Sequence, residues 1–220
     1  MTRLLAQTRW ELRGLLGNGE QLLLAFAIPL GLLVLVRDLI PVLATAVLAT
    51  MFTSPAIATG FERRSGALRF LGVTPLTRRE LVTAKVLASL CVLVMSAALV
   101  TILAAVLHCL PAWSAGQTAI ACAVIAMGCV ASTAWAMFLA GTLRAEAVLA
   151  LANAVFLAML AAGLALPGHL IAPWSVLVQV IPSVALTQGL RDPSLLNVGL
   201  LGAWAVVGVV LAQRFFRWDD

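Results

Sequence analysis

The sequence predicts an all-α membrane protein with six spans, and three observations predict it. Of 220 residues, 63% are apolar and only 10% are charged, whereas a soluble domain is nearer half apolar and a quarter charged. The apolar runs are continuous and about 20 residues long, the length an α-helix needs to cross a bilayer, rather than ~10-residue alternating strands of a β-barrel. The third is a charged island, Phe61 to Glu80, with five arginines and two glutamates between two long apolar runs. At roughly 2.5–3.5 kcal/mol per arginine, burying it in the bilayer would cost on the order of 12–18 kcal/mol. The island therefore belongs in water.

Residues 1–17 mix Leu4, Leu5, Trp10, Leu12, Leu15 and Leu16 with Arg3, Arg9, Glu11 and Arg13. That is too charged for a signal-peptide core and reads as an interfacial helix. The first span covers 21–36, interrupted by Pro29 and Gly31, with Arg37 and Asp38 as a tight turn. The second covers 39–59, and Pro55 is expected to bend it. After the island, the third covers 81–110, longer than the bilayer requires and hence tilted or projecting. The fourth covers 117–140 and the fifth 147–166. Residues 167–193 hold four prolines, His169, Trp174 and the Arg191–Asp192 pair, and read as an extracytoplasmic re-entrant or interfacial segment. The last span covers 195–212. No linker or clear repeat divides the chain, which reads as one membrane domain, 1–220.

Six spans with a cytoplasmic N-terminus place twelve Lys and Arg inside and only Arg37 and Arg191 outside. This is the positive-inside asymmetry. The net charge of +5 is that bias in sum and implies no nucleic-acid partner. Trp10 and Trp218 then lie at the inner interface, Trp113 and Trp174 at the outer one. Cys91, Cys109, Cys122 and Cys129 fall in apolar runs without a CxxC pair, as small buried side chains do.

Within the island, Phe61, Leu68 and Leu71 share one helical face, while Arg63, Arg64 and Arg69 lie elsewhere. Gly66 and Gly72 punctuate the segment and Pro75 stops it. Thr77 and Glu80 have the spacing of a capping box that starts the third span. Physics alone thus gives a short amphipathic helix, a turn and a capped span. The arginines serve equally well as anchors to lipid headgroups or as a docking surface.

The run Glu62 to Lys85, ERRSGALRFLGVTPLTRRELVTAK, resembles the cytoplasmic signature of type-2 ABC-transporter permeases. Glu62, Arg63, Gly66, Leu68, Leu71, Pro75, Leu76 and Lys85 carry it. NGEQLLLAFAIPL (Asn18 to Leu30) and IPSVALTQGLRD (Ile181 to Asp192) are similar to the family's first-span lead-in and pre-final segment. The resemblance implies the membrane subunit of a bacterial ABC exporter of the drug-exporter branch, in the cell inner membrane with both termini cytoplasmic. A second copy or a paralogous permease would complete the path, and two copies of a separate ATPase would dock beneath. Residues 61–76 would be the coupling loop. Glu62, Arg63, Arg64, Gly66, Leu68, Arg69, Phe70, Leu71 and Pro75 would form the docking element, with arginines for charge pairing and Leu68, Phe70 and Leu71 as apolar anchors. A haem-exporter-type permease of cytochrome-c maturation is a related alternative, and an energy-independent scaffold a different class.

ATP and Mg would sit on the partner. A phosphate-binding loop needs a lysine after its glycine-rich turn, and Lys85, the one lysine here, lies in an apolar helix start where it would snorkel to the interface. No cofactor is expected on this chain, and no catalytic or metal site. His108 and His169 map near the outer face without a clustering carboxylate or cysteine. The spans lack mid-membrane Asp or Glu, which disfavours proton-driven transport. Ser96, Thr101, Ser132, Thr133 and Asn153 are mild polar residues expected in helix packing. Gly128 and Ser132 form a small-residue face suited to a helix contact or a dimer seam. An apolar path suits hydrophobic or amphipathic cargo.

Overall fold

The computed structural model describes residues 2–67, 78–165 and 174–215. Among them every regular element is a helix: α1 (Thr2–Gly17), α2 (Gly19–Val36), α3 (Leu39–Arg64), α4 (Arg78–Val106), α5 (Ala115–Thr142), α6 (Ala145–Ala165), α7 (Trp174–Gln179), α8 (Pro182–Arg191) and α9 (Leu195–Phe215). Six of these, α2 to α6 and α9, are long and apolar enough to cross a membrane. They are the six spans read from the sequence, with shifted ends.

The ends move for local reasons. α3 runs on to Arg64 instead of stopping at residue 59, so Phe61 to Arg64 form its last turn and not the start of a separate loop helix. α4 stops at Val106, because His108 takes the left-handed conformation (φ 55°). Its N–H donates to Ala105 O (3.2 Å) and that of Cys109 to Ala104 O (3.0 Å), a Schellman cap with histidine where glycine is usual. Arg37 (φ 52°) ends α2 in the same left-handed conformation. Asp38 then caps α3, accepting from Ile40 N at 3.0 Å. Ser114 and Gln117 form a capping box that opens α5.

Two π-turns interrupt the first two spans, Leu23–Ala27 and Ala49–Thr53, each followed two residues later by a proline, Pro29 and Pro55. Proline has no N–H for the carbonyl four residues back and crowds it. Widening the turn accommodates the ring. The carbonyl of Ala25, four before Pro29, instead accepts the hydroxyl of Ser96 from α4.

α3 is the central span, buried along its whole apolar window. Leu33, Val42, Val47, Val100, Val124 and Leu190 join the core around it. α8 is docked among the spans: Ser183 to Thr187, Gly189 and Leu190 are buried. Gly128 of α5 faces α8, where a Cβ would meet Leu186 Cδ1 at 2.8 Å. The small-residue face at Gly128 is therefore a contact within the chain. α5 and α9 close at Gly208, whose Cβ would lie 2.9 Å from the Trp135 ring.

Strict up-and-down threading divides the charges between two ends. Asp38 and Arg191 pair at one end, 2.5 Å apart. The other end carries α1, the loop between α3 and α4, the α5–α6 turn and the close of α9.

Candidate functional site

The loop-bearing end is organised by Lys85, about two turns into α4. Its Nζ donates to Glu11 Oε2 of α1 at 3.0 Å and to Glu62 Oε1 of α3 at 2.6 Å. Lys85 and Glu11 are buried, at 6% and 7% exposure, and the Glu62 side chain is 16% exposed. Gln7, one turn before Glu11, donates its amide to Glu11 Oε1 at 2.9 Å. Two carboxylates share one ammonium in a confined site. The Gln7 amide satisfies the outer oxygen of Glu11.

α1 lies against α4 with this polar pair inward, while Leu5 and Trp10 are exposed at 64% and 56%. Its inward face is built to meet Lys85. Hydrophobic patterning of the isolated helix does not show this, because the reason for it sits on another element.

The next two residues of α3 grip other spans. Arg63 is buried and donates from Nη1 to Ala140 O at 2.8 Å and from Nη2 to Leu143 O. These carbonyls close the last turn of α5, so the guanidinium satisfies acceptors a helix C-terminus leaves open. Arg64 is exposed and pairs with Glu146 in the first turn of α6. Ser65 follows, and Gly66 (φ 73°) turns the chain out of the helix, its N–H donating to Arg63 O at 3.1 Å.

Of the residues expected to dock a partner, Glu62, Arg63 and Arg64 thus bond inside the membrane domain. Gly66 makes the turn. Leu68, Arg69, Phe70, Leu71 and Pro75 lie outside the described residues, as do Thr77 of the expected capping box and His169. His108 serves as the α4 cap. Lys85 does not snorkel to the interface as expected; it is the centre of a joint that Gln7, Glu11 and Glu62 complete, while Glu146 pairs with Arg64. The Gln7–Glu11 spacing, two polar groups four apart on one helical face, was the available signal for this arrangement.

Two concavities flank α5. A cleft of about 310 Å³ lies between α6 and α9 beneath α8, with Phe52, Trp135 and Trp204 in its walls. Both indoles are bonded, Trp135 Nε1 to Trp204 O (3.2 Å) and Trp204 Nε1 to Val180 O (2.7 Å). A groove of about 770 Å³ lies on the other side, between α4 and α9.

A family model described as ABC-2 type transporter matches residues 4–195. The chain belongs to the ABC-2 type transporter family. The match takes in Gln7, Glu11, Glu62, Arg63 and Lys85, so the whole joint lies in the family's membrane domain. No curated protein and no solved structure matches significantly. Family and six apolar helices together make this a multi-pass membrane protein, the permease component of an ABC transporter and not itself the catalytic one.

Proposed function

We propose that this ABC-2 permease is the export subunit of a bacterial inner-membrane complex, driven by a separate ATPase that docks on residues 61–76 and carries ATP and Mg. The observation that supports the reading is the way both roots of that segment are tied. Lys85 beyond its end donates both to Glu62 at its start and to Glu11, and Arg63 and Arg64 hold the adjoining α5–α6 turn. A push on the segment would reach α1, α3, α4, α5 and α6 through charged bonds and not through slack chain. The remainder of the segment is left for the ATPase. The cargo is hydrophobic or amphipathic, in keeping with the apolar walls of both concavities. A second copy or a paralogue completes the transporter.

Co-purification with the candidate ATPase tests the reading, using wild type, a Leu68→Asp, Leu71→Asp double variant, and Lys85→Met. The ATPase is expected to co-elute with wild type and Lys85→Met and to be lost from the loop variant, while Lys85→Met abolishes cargo-stimulated ATP turnover. Absence of ATPase binding to wild type under every nucleotide condition would overturn docking and favour an energy-independent scaffold.

A further inference from the structure

α8 enters the bundle with a hydroxyl that its own helix does not satisfy. Ser183 is its second residue, so the carbonyl four positions back, that of Gln179, belongs to α7 across a turn. Thr187, one turn on, does have such a carbonyl and donates to Ser183 O at 2.9 Å. Ser183 Oγ has no hydrogen-bond partner among the described residues, although the residue is only 1% exposed. A buried hydroxyl is costly to leave unpaired.

Ser183 borders a small cavity between α3, α6 and α8, with Thr45 of α3 and Thr187 of α8 as the other polar residues in its wall. Their hydroxyl hydrogens are already used, Thr45 on Pro41 O at 2.8 Å and Thr187 on Ser183 O. Each of these hydroxyl oxygens keeps its capacity to accept. The cavity therefore offers one donor and two acceptors. On the α6 side it is bounded by Gly163, where a Cβ would come within 3.1 Å of Thr187 Oγ1. Its volume is about 10 Å³, what one water molecule needs. No carboxylate borders it, so it does not suit a cation, which within a membrane requires a countercharge. Thr45 lies beyond Asp38 on α3 and Ser183 before Arg191 on α8. At 1.5 Å per residue both are about 10–12 Å below that ion pair, deeper than bulk water reaches in a bilayer.

We infer that the α3–α6–α8 cavity is a binding site for one structural water, which accepts from Ser183 Oγ and donates to Thr45 Oγ1 and Thr187 Oγ1. Three bonds are the usual complement of a buried water. The water fastens α8 to α3 beneath the Asp38–Arg191 pair, and position 163 is glycine to leave it room. The site is independent of the docking of an ATPase.

The test uses the full-length chain in lipid nanodiscs and solid-state NMR that detects only polarisation originating on water protons. Signal is expected at Ser183, Thr187 and Thr45. None is expected at Thr50 and Ser96, which are as deeply buried, bonded to carbonyls and outside the cavity. Gly163→Ala, which puts a methyl into the space, should abolish the signal at Thr45 and Ser183. Ser183→Ala removes the donor and reads the same site through Thr45 and Thr187 if the first variant does not fold. Gly31→Ala, where nothing lies within 4 Å, should change nothing. Absence of signal at Ser183 in the wild type would overturn the proposal. So would equal signal at Thr50, or signal at Thr45 that survives both cavity variants, either of which would mark general penetration of water along α3.

Discussion

Lys85 of α4 and Glu11 of α1 stand 74 positions apart in sequence and 3.0 Å apart in space. Both are buried, and together they dock the N-terminal helix on the third span. The same ammonium holds Glu62, so α1, α3 and α4 meet at one nitrogen.

Lys85→Met is therefore expected to leave two carboxylates facing each other without a cation. Removing one partner from a buried ionic cluster costs about 3–5 kcal/mol. Thermal unfolding in detergent should register the loss. Adding Glu11→Gln and Glu62→Gln should recover most of it, since the cost lies in the unpaired charge.

Arg63 and Arg64 are neighbours with opposite prospects. Arg63→Ala opens two carbonyls at the end of α5 and should cost about 3 kcal/mol, at roughly 1.5–3 kcal/mol per charged hydrogen bond with some relief by water. Arg64→Ala removes an exposed pair and should cost under about 1 kcal/mol. Denaturation of the two variants side by side distinguishes a buried clamp from a surface pair.

Ser96→Ala should cost about 1 kcal/mol by stripping the Ala25 carbonyl of its donor. The need for that donor comes from Pro29. In a Pro29→Ala background, which restores a backbone N–H, the same change should cost measurably less. A double-mutant cycle on thermal stability reads the coupling, and equal costs in both backgrounds would refute it.

Gly208→Ala should loosen the α5–α9 contact, because the new methyl would meet the Trp135 ring at 2.9 Å and Ala134 Cβ at 3.0 Å. Overpacking of this kind costs about 1–3 kcal/mol. Gly202→Ala on the same helix meets nothing within 4 Å and should be neutral. Tryptophan fluorescence of the Trp135–Trp204 pair, whose ring centroids lie 5.4 Å apart, should shift with the first change and not the second.

The parts of this molecule that were legible before any coordinates share one property: their physics is local. A run such as Leu81 to Val106 announces a span by its own hydropathy, and the Arg37–Asp38 turn announces its own boundary. The capping box at Ser114 and Gln117 is equally local, a Ser and a Gln three residues apart. The fate of Glu62 and Arg63 was not local. The pattern around them offers an amphipathic helix with charges outward, and it cannot tell whether α3 stops at residue 59 or carries those charges inward for one more turn. That depends on Lys85 and on the carbonyls of Ala140 and Leu143, which belong to other helices.

The sequence by itself determined the six apolar helices, the asymmetry of charge between their ends, and the prolines that interrupt the first two spans. Each follows from bilayer solvation or from backbone hydrogen bonding within a few residues. Only the tertiary structure decided which charges pair, which glycines are contacts and where the grooves lie. An ion pair across 74 residues, or a cavity between α4 and α9, depends on the relative placement of helices, and helix placement is set by side chains from several elements packing together.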